Sequence, residues 1–269
     1  MAISFGFIGT GNMGGALAAA ASKAQRTPEI WLSNRTRAKA QALAAQLRCK
    51  LSTNEEIAEK CSFIFLGVKP QNMAAMLEGI APMLRQRENV FALVSMAGGL
   101  SMRQIRDMAG GDYPVIRIMP NTPVAVGCGL IQYDHTENVP EAMMEYFCET
   151  MAAGGEVDHM PEQLIDAGSA LAGSGPAFAD MFIEALADGA VACGMPRAKA
   201  LLYAAQMLKG AAQLYIESGR HPGELKDAVC SPGGSTIAGV RALERRAFRA
   251  ACMEAVEDTW KRSRELGDN

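Results

Sequence analysis

With 269 residues, 49% of them hydrophobic, the chain can bury a large core and is long enough for roughly two domains. A formal net charge of −3 supplies no basic field and argues against a general nucleic-acid binder. The seven cysteines (Cys49, Cys61, Cys128, Cys148, Cys193, Cys230, Cys252) are scattered, odd in number and without a CxxC pair, so neither a disulfide framework nor a thiolate metal site is indicated and a reducing cytoplasm fits.

No Lys or Arg precedes the apolar opening and glycines interrupt it, so it reads as mature structure rather than a signal peptide. ISFGFI (3–8) predicts the first strand. EIWLS (29–33), FIFLGV (63–68), NVFALVS (89–95) and PVIRI (114–118) predict four more, all apolar enough for burial on both faces. Arg37 to Leu47 and Met73 to Leu84 have helical spacing between them. Residues 1–160 therefore predict βαβ units, that is, an α/β Rossmann domain with a mostly parallel, doubly wound sheet.

GTGNMG (9–14) follows the first strand directly and leads into the helix-forming GALAAAASKA. Gly9 would make the tight bend, Gly11 would let backbone approach a pyrophosphate, and Gly14 would admit close helix packing, with the helix N-terminus supplying positive potential. At the end of the second strand stand Ser33, Asn34, Arg35 and Thr36, with no carboxylate to grip an NAD ribose. Two small polar groups and a guanidinium suit a 2′-phosphate, which predicts NADPH; the bland alternative leaves Arg35 solvated. LGVKPQ (66–71) and SMAGG (95–99) would emerge at the carboxyl edge of the sheet, where ligands of such folds lie, although Lys69 reads equally as a surface lysine. In IMPNTP (118–123), Asn121 reads either as a turn former or as a further cofactor contact.

Beyond about Pro161 the period changes. Glu162 to Ala172, Pro176 to Cys193, Arg197 to Ser218, Pro222 to Val229 and Thr236 to Leu266 all predict helices, several opened by a proline. Asp180, Glu184 and Asp188 form an acidic stripe along the second of these, which argues against a membrane span. The third is apolar on more than one face (Leu201, Leu202, Met207, Leu208, Leu214, Tyr215), which predicts a subunit interface over a purely internal core. Near the end, SPGGST (231–236) carries no charge and precedes a helix, with Ser235 or Thr236 near its cap. Its composition suits an anion site of consecutive N–H groups and equally a capped turn. Cys230 reads as a small buried filler.

GFIGTGNMG, LGVKP, MPNTP, ALAGSGPAFADMFIEALADGA and HPGELKDAVCSPGGSTIAG, in this order and over nearly the entire chain, resemble the pyrroline-5-carboxylate reductases. The resemblance implies a Rossmann domain (1–160) followed by an all-α dimerisation domain (161–269) that interlocks two subunits, often with further assembly into a decamer. It implies hydride transfer from NADPH, with NADH a weaker donor, to the C=N bond of 1-pyrroline-5-carboxylate, giving L-proline. It puts the pyrophosphate on Ile8, Gly9, Thr10, Gly11, Asn12 and Met13, the 2′-phosphate region on Asn34 and Arg35 beside Ser33, and the adenosine side on Asn54. The nicotinamide half would be bordered by Gly67, Val68, Lys69, Pro70, Met96, Ala97 and Gly98. The substrate carboxylate would meet Ser231, Gly233, Gly234 and Ser235, the catalytic Thr236 would hydrogen-bond the ring nitrogen, and Glu162 would approach the substrate. Two positions depart from the pattern: Ala228 stands where some members have an asparagine against the cofactor, and Ser235 replaces a common alanine.

A protonated imine is already electrophilic, so positioning and exclusion of water carry most of this chemistry. His135, His159 and His221 show no evident catalytic arrangement, in keeping with that. Two other readings stay separable. A β-hydroxyacid dehydrogenase would resemble its relatives in a lysine on the first long helix of its second domain, which GPAFADMFIEALADGA lacks. An NADPH-binding sensor or assembly protein would leave the nucleotide unoxidised.

Overall fold

The computed structural model describes residues 3–267; the outermost ends of the two expected domains, residues 1–2 and 268–269, lie outside them. The chain divides into two compact units, one reaching to Ser174 and joined by the residues from Trp260 on, the other Gly175–Thr259.

In the first unit the strands are β1 (Ser4–Ile8), β2 (Glu29–Ser33), β3 (Lys50–Leu51), β4 (Phe63–Leu66), β5 (Ala92–Ser95), β6 (Val115–Pro120), β7 (Gly129–His135) and β8 (Gly155–His159). They form one sheet in the order β3-β2-β1-β4-β5-β6-β7-β8. Pairing is parallel except between β6 and β7, which run antiparallel. The five predicted strands are all present. The other three escape prediction for a physical reason: β3 has two residues, and β7 and β8 lie on the far side of the sheet with half-exposed, polar sequences (GLIQYDH, GEVDH) that carry no continuous apolar run.

The helices of this unit are α1 (Asn12–Ala21), α2 (Arg37–Leu47), α3 (Asn54–Lys60), α4 (Met73–Arg85), α5 (Met102–Ala109), α6 (Glu141–Met151) and α7 (Glu162–Ala172). Strand alternation sends Phe5, Phe7, Phe63 and Phe65 to one face, under α1, α2 and α6, where Phe7 and Phe65 stack at 4.2 Å. Ile8, Ile64 and Leu66 go to the other face, under α3, α4 and α5. Helices thus cover both faces, as a doubly wound sheet requires. The helix α7, which sequence periodicity groups with the helical half, packs against β6 and β7 of the first unit.

The second unit consists of α8 (Gly175–Ala192), α9 (Arg197–Ser218), α10 (Pro222–Ala228), α11 (Ser235–Arg245) and α12 (Phe248–Gly267), the last running on past Thr259 into the first unit's residues. The single helix predicted from Thr236 to Leu266 is in fact two. Ala247 adopts φ of 55°, ending one helix, and the next begins at Phe248, whose ring lies 5.5 Å from that of Phe182 on α8. No glycine or proline marks the break, and this ring contact accompanies it. Ala187, Ala200 and Ala204 are buried between α8 and α9, whereas Met181, Leu202, Tyr203, Met207, Leu214, Tyr215 and Ile216 are exposed.

Gly6 sits in the middle of β1 where a Cβ would lie 2.3 Å from Ile57 Cγ2 and 2.7 Å from Cys61 Sγ. Burial pushes the Cys61 thiol up to about 12, so it stays protonated at ordinary pH. Gly6→Ala is expected to cost about 1–3 kcal/mol by overpacking, measured by urea denaturation. In the native protein Cys61 should resist alkylation at pH 8 while the exposed Cys128 reacts; labelling of Cys61 at the rate of Cys128 would contradict this packing.

Candidate active site

The strand order reverses direction at β1, which has β2 on one side and β4 on the other, so the carboxyl ends of β1 and β4 open a crevice. Gly9 leaves β1 at φ of 102°, its N–H donating to Ser33 O at 2.8 Å, while Gly67 leaves β4 with its N–H donating to Ile8 O at 2.8 Å. A Cβ on Gly9 would stand 2.3 Å from Gly67 O, one on Gly67 2.3 Å from Gly9 O, and one on Gly14 2.2 Å from Gly9 O. Three glycines therefore bring two strand ends and the first turn of α1 together. Gly11, by contrast, faces open space and is the N-cap of α1 with no side-chain cap and no acidic residue in the first turn. The helix thus presents its N-terminal amides and positive end, the arrangement that holds a phosphate.

The other residues expected at this loop divide by what they do. Ile8 is 2% exposed with its side chain in the core and its carbonyl taken by Gly67, so of its groups neither is directed to a ligand. Thr10 donates its N–H to Asn34 Oδ1 at 3.1 Å, and its buried hydroxyl has no partner among the described residues. Asn12 and Met13 form the first turn of α1.

Beside β2, Ser33 Oγ donates to Asn54 Oδ1 at 2.7 Å and Asn34 Nδ2 donates to Thr36 O at 3.1 Å. A cavity of about 210 Å³ is lined by Ser33, Asn34, Arg35, Ser52, Asn54 and the acidic Glu55, and also by Arg37, a residue the sequence did not single out. Among the described residues neither arginine forms an ion pair, and Thr36, the N-cap of α2, makes no side-chain cap. Two guanidiniums and the positive end of a helix meet there against the single carboxylate of Glu55, a balance that favours an anion. The spacing Arg35–Thr36–Arg37 was the available signal.

Lys69 is exposed and Pro70 begins a short 3-10 helix, while Val68 packs at the edge of the core. Ala97 is buried, its N–H donating to Ser95 Oγ at 3.4 Å. Met96 is half-buried, and Gly98 lies close to Met119. Asn121 behaves as a clamp: Oδ1 accepts from Leu130 N at 2.9 Å and Nδ2 donates to Ala172 O at 3.0 Å, tying β6, β7 and the end of α7.

Glu162 is also engaged within the first unit. Its Oε1 accepts the Met102 N–H at 2.6 Å and lies 3.5 Å from Nη1 of the buried Arg117, whose Nη2 donates to Asp166 Oδ1 at 2.6 Å. The Glu162 N–H donates to Asp134 Oδ2 at 2.6 Å. A cavity of about 690 Å³ along α5 has Glu162, Met102 and Arg106 in its wall. Sequence reasoning passed over Arg117, although a charged residue inside a strand read as buried on both faces is itself a signal.

In the second unit α11 begins at Ser235, and its N-cap is Gly234 with no side-chain cap, so neither Ser235 nor Thr236 is the capping residue. Gly233 has φ of 70°, and Gly234 N–H donates to Ser231 O at 3.0 Å. A Cβ on Gly234 would lie 2.4 Å from Ser231 Oγ, which explains the second glycine. The Gly234 amide is thus spent on the turn, and the uncapped N–H groups are those opening α11, from the exposed Ser235 and Thr236 onward. Cys230 is half-buried, with its N–H donating to Asp227 O at 3.0 Å.

A doubly wound sheet with a glycine-bent phosphate loop at its switch point and an arginine-lined cavity at the second strand defines a dinucleotide-dependent oxidoreductase of the Rossmann class. Comparison with known proteins narrows this. Residues 162–266 match the family described as pyrroline-5-carboxylate reductase dimerisation, and residues 4–97 match NADP oxidoreductase, coenzyme F420-dependent. The pyrroline-5-carboxylate reductase of Escherichia coli (strain K12) is 39% identical over 264 residues, covering 97% of both chains, and that of Pisum sativum is 37% identical over 265 residues, covering 98% of this chain and 96% of its own. The crystal structure of the Plasmodium falciparum pyrroline carboxylate reductase with NADP bound superposes with a TM-score of 0.85 at 31% identity, covering 98% of each chain. The chain belongs to the pyrroline-5-carboxylate reductase family.

Replacing Gly67 by alanine should separate the two strand ends and weaken dinucleotide binding at least about tenfold, measured by titration calorimetry, because the close approach at Gly9 O leaves no room for a methyl group. Affinity equal to that of the unaltered protein would show that the approach does not shape the site.

Proposed function

We propose that this chain reduces 1-pyrroline-5-carboxylate to L-proline with NADPH as hydride donor. The observation that carries this reading is a pair of helix N-termini opened by glycine without a side-chain cap, at GTGNMG and at SPGGST, in a chain aligned end to end with pyrroline-5-carboxylate reductases. NADPH, when bound, supplies a hydride for the C=N carbon.

The residues of this chain then have separate tasks. The first-turn amides of α1 hold the diphosphate, with Thr10 Oγ1 as an added donor. Arg35, beside Ser33, Asn34 and Asn54, takes the 2′-phosphate, for which the unpaired guanidiniums and the absence of an acidic residue at the end of β2 are suited. Gly67, Lys69, Pro70 and the loop of Met96, Ala97 and Gly98 border the nicotinamide half. At α11 the amides of Ser235 and Thr236 receive the substrate carboxylate, with the helix dipole adding to the attraction, and the Thr236 hydroxyl hydrogen-bonds the ring nitrogen. The protonated imine needs no strong acid, so orientation of two ligands supplies most of the rate.

The exposed apolar side chains of the second unit support self-association: Leu201, Leu202, Tyr203, Met207, Leu214 and Tyr215 all lie on α9, and exposed apolar surface gathered on one element is what an interface would cover. A homodimer, assembling further toward a decamer, is the working form, and the seven free cysteines suit the reducing cytoplasm. Sedimentation at micromolar concentration should show no monomer; a purely monomeric species would remove this part of the reading.

Thr236→Ala should lower kcat/KM about 5- to 150-fold, the equivalent of about 1–3 kcal/mol of lost transition-state stabilisation, with cofactor affinity little changed. Arg35→Ala should raise KM for NADPH and leave that for NADH nearly unaltered. A Thr236→Ala protein with undiminished kcat/KM would remove the proposed role of the hydroxyl.

A further inference from the structure

Arg117 is 3% exposed at the centre of β6, with Ser95 opposite on β5 and Asp134 opposite on β7. Burying a guanidinium is costly unless anions surround it, and two carboxylates one helical turn apart, Glu162 and Asp166, face it from α7. Asp134 secures the start of α7 by accepting the Glu162 N–H. Glu162 in turn accepts the N–H of Met102, the first residue of α5, whose own cap is already complete: Ser101 and Gln104 form a reciprocal capping box. An additional charged acceptor on such a helix start fixes its position. The six residues between β5 and α5, Met96 to Ser101, are thereby pinned at one end by Ser95 in the sheet and at the other by Glu162.

We infer that Glu162 is a positioning residue rather than a substrate contact: held by Arg117, its carboxylate anchors the start of α5 and so sets the loop of Met96, Ala97 and Gly98. The consequence for catalysis rests on the reading above that this loop borders the nicotinamide. A near-attack geometry is sensitive to displacements of about an ångström, so loss of the anchor should appear in kcat and not in the binding of the distant adenosine half.

The discriminating pair is Glu162→Ala and Glu162→Gln, since a Gln oxygen still accepts the Met102 N–H without carrying charge. Turnover with NADPH and 1-pyrroline-5-carboxylate, calorimetric affinity for 2′,5′-ADP, and amide hydrogen exchange at the first turn of α5 are measured for each. The expected result is a kcat at least about tenfold lower in the alanine protein, restored to within about threefold by glutamine, with 2′,5′-ADP affinity unchanged and faster exchange at the start of α5 in the alanine protein alone. Equal losses in both proteins would mean that the charge acts on the substrate, and full activity with protected amides in the alanine protein would mean that no anchor exists; either overturns the inference. If the unaltered protein fails to oxidise NADPH with this substrate, the reductase reading falls, while the exchange measurement still decides whether Glu162 anchors α5.

Discussion

Gly9, Gly14 and Gly67 bring three pieces of backbone closer than any side chain would permit, and the first unit's chemistry is organised around that approach. Because β1 and β4 are neighbours whose following helices leave to opposite faces, their loops must part at the crevice while their starts remain in contact. Glycine at all three points resolves the conflict: one residue turns at positive φ, and the other two leave carbonyl oxygens unobstructed. The first amides of α1 are then directed into the crevice instead of being closed off by a side chain. A Cβ at any of the three would move the helix, the loop after β4, or both.

Absence of a side-chain cap does not by itself mark a ligand-facing helix, since α4, α6, α7 and α9 have Asn72, Pro140, Pro161 and Pro196 as N-caps without one; a glycine N-cap is what α1 and α11 share. Thr53 caps α3 by accepting from Glu56 N, and Ser101 and Gln104 cap α5, so those helix starts are saturated and serve the framework. The helices α1 and α11 start from Gly11 and Gly234 with unspent amides and no acidic residue in the first turn. In each case the residue that would ordinarily satisfy the helix has been omitted, and an anion can take its place. At α2 the uncapped start is joined by two arginines that form no ion pair among the described residues, with Glu55 the one carboxylate in the same wall, so the site keeps net positive charge for a phosphate.

The buried Arg117 and the half-buried polar groups around it supply the rigidity behind these openings. Arg117, Glu162, Asp166 and Asp134 join β6, β7, α5 and α7 through ion pairs and hydrogen bonds, and Asn121 links β6, β7 and the end of α7 with both ends of its amide. Such groups contribute position more than net stability, because desolvation offsets much of their attraction. Polar clamps therefore hold α7 to the sheet although its sequence has the period of the helical half.

The periodicity of the sequence determined the five central strands, most helices and the glycine loop, because these features report each segment's own burial and dihedral needs over a few residues. FIFL is apolar on both faces wherever it lies in a doubly covered sheet, and GTGNMG after a strand has few other uses. SPGGST was legible as a turn opening a helix but not as to its cap, since Gly234, Ser235 and Thr236 are all acceptable there by composition. Tertiary structure alone decided the rest: the polar far strands β7 and β8, the break at Ala247, the dependence of Gly67 on Gly9, and the engagement of Glu162 with Met102 and Arg117. The glycine approach and the engagement of Glu162 are set by partners outside the local window, 58 residues away for Gly67 and Gly9, 60 for Glu162 and Met102 and 45 for Glu162 and Arg117, and no local pattern of apolar and polar residues encodes which distant group will arrive.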